Sequence, residues 1–361
     1  MMKVSSLKTM VGLAAPFLID QDFIPILQHF WFRPNSVMAY NDIQAVRLML
    51  DTGLNCAVPG KLLGKLLGTI SHEEIDLKLN QFGTELLIGY GKNQAKLPAL
   101  SPNEFVFEMP DPTGISITLN DEVKLGFSKC LSTVGHDPTK PERNGISISV
   151  ETDKIKLYTT DGITISTFKL DGSFLSGGVE ELWAIMPTFF CEQLHNLTKS
   201  LKLTPTLHFD QKCVLGTLEQ HRIFSRLINA EPPKFEQAIS HLLADPLDEV
   251  ELQPIPKEFE EALTRAVLML QPEKGIKTTT VTLSPTGTLT LFTQSERGTA
   301  RDEIETALDP QTSEPLILIS DPNYLLRGTS LCSKIGISGN VVVFGETEQN
   351  FYHLVSTSTK S

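Results

Sequence analysis

Three stretches of this chain place apolar residues at helical spacing: Leu7, Met10, Val11, Ala14 and Ala15; Val123, Phe127, Cys130, Leu131 and Val134; and Phe259, Leu263, Ala266, Val267 and Leu270. Each predicts an amphipathic helix with one buried face. After each helix the pattern turns strand-like, over 36–50, 146–170 and 278–292; in the last of these Val281 and Leu283 alternate with Thr280, Thr282 and Ser284. A second helix then opens in each case, behind an apolar residue or two and a proline. The three openings read Val58-Pro59-Gly60-Lys61-Leu62-Leu63, Ile185-Met186-Pro187-Thr188-Phe189-Phe190 and Ile319-Ser320-Asp321-Pro322-Asn323-Tyr324-Leu325-Leu326. Proline suits a helix start because its missing N–H would have no partner there.

Pro59, Pro187 and Pro322 stand 128 and 135 positions apart, a period far longer than a solenoid unit, so the pattern predicts repeated domains. Met109-Pro110-Asp111-Pro112 and the proline- and acid-rich stretch 245–256 punctuate the chain between repeats. The expected organisation is three domains, 1–112, 113–248 and 249–361. Each is α+β, with helices on one face of antiparallel sheets.

Composition adds bounds. A chain of 361 residues, 40% hydrophobic and 20% charged, can bury the cores of two or three ordinary domains. Its apolar runs are short, none near the ~20 residues of a membrane helix, and the N-terminus carries no basic segment followed by a long apolar one. The five cysteines, Cys56, Cys130, Cys191, Cys213 and Cys332, are scattered and never in CxxC spacing, which predicts reduced, buried thiols in a cytoplasmic protein.

A net charge of −12 argues against nucleic acid only if the charge is spread evenly. It is not. The predicted helices carry Lys8, Lys61, Lys65, Lys124, Lys129, Lys199, Lys202, Arg265, Arg327 and Lys334, with Lys61 and Lys65 on one face by their spacing of four. Acids gather elsewhere or in first turns, as Asp121, Glu122 and Glu258 do, where the helix dipole favours them. Helix after helix thus offers a basic outer face within an acidic chain.

Catalytic chemistry finds no constellation. His136-Asp137, Asp161-Gly162 and Cys191 lack convergent partners at interpretable spacing. Gly89-Tyr90-Gly91 has neither the lysine nor the hydroxyl of a phosphate loop and predicts a turn. His195 and His208 form no metal spacing, so no cofactor and no metal is expected, and the chain reads as a non-enzyme.

Taken as whole segments, the sequence resembles the bacterial DNA sliding clamp, the beta subunit of DNA polymerase III, in a divergent form such as a phage could encode. In the first repeat Ile24-Pro25-Ile26-Leu27, Ala39-Tyr40-Asn41-Asp42, the Val58–Leu63 motif and Lys96-Leu97-Pro98-Ala99-Leu100 are similar to the family's progression. In the second, Arg143-Asn144-Gly145-Ile146, Thr160-Asp161-Gly162, Ile185-Met186-Pro187, Ser225-Arg226-Leu227-Ile228 and Pro233-Lys234-Phe235 follow in the family's order. In the third, Leu263-Thr264-Arg265-Ala266-Val267-Leu268 and Asn323-Tyr324-Leu325-Leu326 complete it. Each motif is weak; their order and spacing across nearly the whole chain are specific.

The resemblance implies a fold of three tandem clamp domains forming half of a closed ring. Two protomers join head to tail as a homodimer, and the ten basic residues named above face duplex DNA without reading its sequence. Short apolar peptides of the polymerase and the clamp loader would enter a pocket made of Thr160, Ile163, Ile165, Pro233, Ala238, Tyr324, Leu354 and Val355. Ile117 and Leu119 on one side, with Leu268 and Met269 on the other, would form the protomer contact. The setting is the cytoplasm of a bacterium or of a phage-infected cell, with no role for a membrane. Gln21 stands where the family often has an arginine, Pro141 and Glu142 where it has aromatics, and Ile163 where it has histidine. Ser356-Thr357-Ser358-Thr359-Lys360-Ser361 replaces its hydrophobic tail. A repeat-domain structural or assembly protein, such as a phage tail component that does not bind DNA, is the competing reading, and it would need no basic inner face.

Overall fold

The computed structural model describes residues 1–19, 24–105, 107–172, 181–275, 277–308, 313–346 and 350–359. One element order occurs three times along them: a short strand, a helix, three strands, a fourth strand, a second helix and three more strands. The first round runs β1 (Met2–Lys3), α1 (Val4–Ala14), β2 (His29–Arg33), β3 (Ser36–Tyr40), β4 (Gln44–Met49), β5 (Cys56–Pro59), α2 (Gly60–Thr69), β6 (Glu74–Leu79), β7 (Glu85–Tyr90) and β8 (Asn93–Pro98). The second runs β9 (Ile115–Thr118), α3 (Asp121–Leu131), β10 (Gly145–Glu151), β11 (Lys154–Thr160), β12 (Thr164–Asp171), β13 (Glu181–Pro187), α4 (Thr188–Leu201), β14 (Thr206–Phe209), β15 (Cys213–Leu218) and β16 (His221–Arg226). A connecting helix, α5 (Phe235–Leu242), precedes the third. That round runs β17 (Gln253–Pro254), α6 (Lys257–Leu268), β18 (Thr279–Leu283), β19 (Thr288–Ser295), β20 (Gly298–Glu305), β21 (Leu316–Ser320), α7 (Pro322–Leu331), β22 (Lys334–Ser338), β23 (Val341–Glu346) and β24 (Phe351–Ser356), and β25 (Ser358–Thr359) closes the chain. Pro59 and Pro187 cap their helices and Pro322 is the first residue of its own, as a ring without an N–H permits.

The strands pair antiparallel across the repeat boundary. One eight-stranded sheet has the order β5-β2-β3-β4-β16-β15-β14-β9, and the other β13-β10-β11-β12-β24-β23-β22-β17. Each therefore joins the first half of one repeat to the last half of the next, through β4 with β16 and β12 with β24. This pairing divides the chain into two compact units, one holding 1–120 and 186–229, the other 121–172, 181–185 and 230–359 among the described residues. Three repeats in element order thus become two units in packing, and the middle repeat is shared between them. A four-stranded sheet, β1-β6-β7-β8, completes the first unit, and a five-stranded one, β20-β19-β18-β21-β25, completes the second.

Both faces of the large sheets are covered. In the second unit, helices α3 and α7 lie so close on one face that Gly126 meets the ring of Phe168 and Gly328 the ring of Phe344. On the other face Tyr158, Ile165, Val341, Val343 and Leu354 pack against Phe235, Ile239 and Leu243 of α5 and the residue after it. The first unit repeats the arrangement without a helix: Trp31, Met38, Tyr40, Ala45 and Phe224 lie under Phe105, Phe107 and Met109 of the connecting segment. The Phe107 ring stacks on Tyr40 with centroids 4.1 Å apart. Among the described residues no helix is long and apolar enough to cross a membrane.

Candidate functional site

Among the described residues, the two small sheets end in strands that pair on one side only. In both eight-stranded sheets the third strand of one repeat, β4 or β12, finds the last strand of the next, β16 or β24. The corresponding strands β20 and β8 stand at the ends of their sheets. On β20 the outward residues Thr299, Arg301, Glu303 and Glu305 are exposed, and on β8 Gln94, Lys96 and Pro98 are. Leu268 is 63% exposed where α6 ends, and the Met269 sulfur packs over Gly298, the first residue of β20. Leu268 and Met269 therefore stand at a free sheet edge. Ile117 and Leu119 do not: they are 1% and 2% exposed within their own unit, and Ile117 pairs with Leu207 across β9 and β14. The expected protomer contact is corrected on that side, since a core residue offers a partner no surface.

The ten basic residues divide by what holds them. Lys61 and Lys65 are exposed along one face of α2, as are Lys199 in the last turn of α4 and Lys202, which caps that helix in the left-handed conformation. Arg265 is exposed but forked onto Asp302 at 2.8 Å, with Glu261 at 3.6 Å. Lys124 pairs with Asp121 within its own first turn. Lys129 stands 5.0 Å from the centre of the Phe351 ring. The Lys8 ammonium donates to the Ile70 carbonyl at 3.0 Å, tying α1 to the end of α2. Arg327 donates to Asp161 at 3.1 Å, fastening α7 to the β11–β12 turn. Lys334 is no helix residue: it opens β22, because the Cys332-Ser333 pair ends α7 before it.

The residues expected to form a peptide pocket are only partly brought together. Ile165 and Leu354 face each other across β12 and β24, and with Ala238 of α5 they belong to one apolar cluster. Thr160 stands beside Ile165 in the next strand, where its hydroxyl donates to the Thr164 carbonyl and accepts from the Gly162 N–H. Ile163 is exposed in the adjoining turn, and the Pro233 carbonyl accepts from the Phe235 N–H as α5 begins. Tyr324 is half-buried on α7, 5.6 Å below the Arg327 guanidinium, with its phenol pKa raised by burial and then by Asp161. Val355 is wholly buried; alternation along β24 turns it to the face opposite Leu354, so it is withdrawn from the pocket as expected from sequence. Gln21 lies outside the described residues. In the tail, Ser358 pairs with Ile319 at the edge of the five-stranded sheet.

Beside this cluster lies a cavity of about 640 Å³ that the sequence did not announce. Tyr158, Ile239, Leu243, Leu247 and Tyr352 give it an apolar lining, and Lys169 and Asn350 stand at it. The register is informative. Thr160, Ile165 and Leu354 form one cross-strand row, and Tyr158, Thr167 and Tyr352 form the next, so the opening lies one row along the sheet from the expected pocket. The Tyr158 ring stacks on Phe235, and its hydroxyl donates to Glu236, which also holds Lys156. The available signal was the spacing of Phe235, Ile239 and Leu243, which marks an amphipathic helix just after Pro233.

No protein-family model matches this sequence, and no curated protein sequence matches it either. Solved structures do. The DNA polymerase III subunit beta from Pseudomonas aeruginosa matches with a TM-score of 0.83 at 16% identity, over 99% of this chain and 99% of that one. The DNA polymerase III beta subunit from Thermotoga maritima matches at 0.82 and 17%, over 99% and 98%. The Helicobacter pylori beta clamp, solved bound to a DNA ligase peptide, matches at 0.82 and 18%, over 99% of each chain. At such identities the likeness is one of fold. From end to end, this chain has the α+β fold of the bacterial DNA sliding clamp.

Proposed function

We propose that this protein is a DNA sliding clamp, two copies of which close head to tail around duplex DNA and tether a polymerase and other partners to it. What the sheets leave unfinished carries this reading. Twice within the chain a half-sheet of one repeat is completed by the next repeat, and one half-sheet remains at either end of the series. Pairing β20 of one copy with β8 of another applies the same rule a third time, and a two-fold axis repeats the seam and leaves no end open. The internal register carries over. Gln44 faces Ser225 and Ala45 faces Phe224 at one seam; Thr164 faces Val355 and Ile165 faces Leu354 at the other. Counting from the hairpin turns, Gly298 then faces Leu97, Thr299 faces Lys96 and Arg301 faces Gln94 of the partner. Leu268 would be covered at this seam.

Within the ring Lys61, Lys65, Lys199 and Lys202 would meet phosphates, an attraction that carries no sequence information and permits sliding. With −12 per chain the protein would hold DNA by encirclement rather than by affinity. Partner peptides of the polymerase and the clamp loader would lay apolar side chains beside the half-buried Ala238, over a floor formed by the buried Ile165 and Leu354, and into the adjoining cavity, the concave, mostly apolar kind of site such ligands take. The role is that of a scaffold in the cytoplasm, where replication takes place. The test is a cysteine pair, Lys96→Cys with Thr299→Cys, in one chain. Oxidation should give covalently closed dimers on non-reducing gels. Exclusively monomeric product, with both thiols reactive towards a maleimide, would remove the proposed seam.

A further inference from the structure

The first eight-stranded sheet carries its own cavity, of about 480 Å³, in the place that the larger cavity takes on the second. Ser36 and Met49 face each other there, as Lys156 and Lys169 do in the other sheet, and Arg47 faces Arg222 where Thr167 faces Tyr352. Topology makes the hollow twice; the chemistry differs. In the first sheet Arg33, Arg47 and Arg222, from three separate strands, all line it.

Three like charges do not converge without cost, and two of them are compensated. Arg222 donates to the Pro110 carbonyl at 2.9 Å and to Asp111 at 3.1 Å. Arg33 lies 4.0 Å over the Trp31 ring, with Glu108 at 3.8 Å. Arg47 has no acid at ion-pair distance among the described residues. Its Nε is buried and finds no hydrogen-bond partner among the described residues. Burial, then Arg222, then Arg33 lower its pKa, and Asp111 alone acts against them. Glu219, the remaining charged residue of the lining, is exposed at the rim. A guanidinium presents a planar fork of donors, and a buried N–H of that fork left without an acceptor is costly. Glu108 and Asp111 are single charges already engaged by Arg33 and Arg222. A tetrahedral dianion could offer oxygens to all three forks at once.

We propose that this cavity is a binding site for phosphate groups, with Arg47 as the principal donor and Arg33 and Arg222 flanking it. The phosphate could belong to a small phosphorylated molecule or to a nucleic-acid backbone, and ring closure plays no part in either case. The probe is inorganic pyrophosphate, titrated into the full chain by calorimetry at fixed ionic strength. Saturable binding at one site per chain is expected, weakened about tenfold or more by Arg47→Met, with Arg47→Lys in between. Because Arg47→Met also removes a charge from between two like ones, the ligand-free variant should melt higher than wild type, and the rise in Tm that pyrophosphate gives wild type should vanish. A labelled single-stranded oligonucleotide displaced by pyrophosphate, and weakened by the same substitution, assigns the site to backbone phosphates. An oligonucleotide indifferent to Arg47→Met assigns it to small phosphorylated molecules. No saturable pyrophosphate binding to wild type, or binding unchanged in both Arg47→Met and Arg222→Met, overturns the proposal.

Discussion

Gly64 and Gly68 share the exposed face of α2 with Lys61 and Lys65, and a Cβ at either position would meet nothing within 4 Å. Glycine inside a helix costs about 1 kcal/mol relative to alanine, and here no packing offsets the cost. Gly64→Ala and Gly68→Ala should therefore each raise stability by roughly 0.5–1 kcal/mol, read from the midpoint of denaturant unfolding. His353 gives a prediction of opposite tone. It is fully buried, shares a hydrogen bond with Ser166 at 2.8 Å, and has its pKa pushed down to about 4, chiefly by burial and then by Arg327. The folded chain keeps it neutral while the unfolded chain protonates it near 6.5. Its contribution is complete above that pH and is lost as pH falls towards 4, by about 3 kcal/mol in all. His353→Gln should flatten the dependence of Tm on pH in that window; an unchanged slope would show that other groups set it. Residues of this kind were legible in the sequence only where their partners were local. Lys61 and Lys65 show their common face by spacing alone. Lys8 and Arg327 conceal their roles, because Ile70 and Asp161, which hold them, lie 62 and 166 positions away.

Between elements, close approach replaces side-chain filling at two equivalent places. Gly126 of α3 sits over Phe168 and Gly328 of α7 over Phe344, where a Cβ would enter the aromatic ring. Helix propensity alone favours alanine at both positions, but a well-packed ring face has nowhere to yield. Gly126→Ala and Gly328→Ala should each lower stability by about 1–3 kcal/mol, the sign opposite to that at Gly64, and the same unfolding measurement checks both. Helix starts were legible because proline and apolar spacing act within a few residues. Strand pairing was not: the Ser166–His353 contact across β12 and β24 spans 187 positions, and nothing local marks it. The assignment of Ile117 and Leu119 to a protomer contact failed for the same reason. An alternating apolar strand looks alike whether its partner is β14 of the same chain or a strand of another. Lys334 was misplaced by a boundary, since it follows the end of α7 by only a few residues.

At the scale of the molecule, a threefold element order produces two packed units because each eight-stranded sheet is shared by successive repeats. The same sharing leaves β8 and β20 as the two ends of an unfinished series, and closing that series is what would turn a repeat protein into a ring. Encirclement can be tested without a loader. The Lys96→Cys, Thr299→Cys protein is mixed as reduced subunits with nicked circular DNA and then oxidised, so that some rings close around the circle. A detergent that denatures the protein and abolishes charge-mediated contact should leave covalent dimers migrating with circular DNA, and linearising the same DNA should release them. Equal loss from circular and linear DNA, with dimers cross-linked in full, would show that the closed dimer does not enclose DNA and would contradict the account.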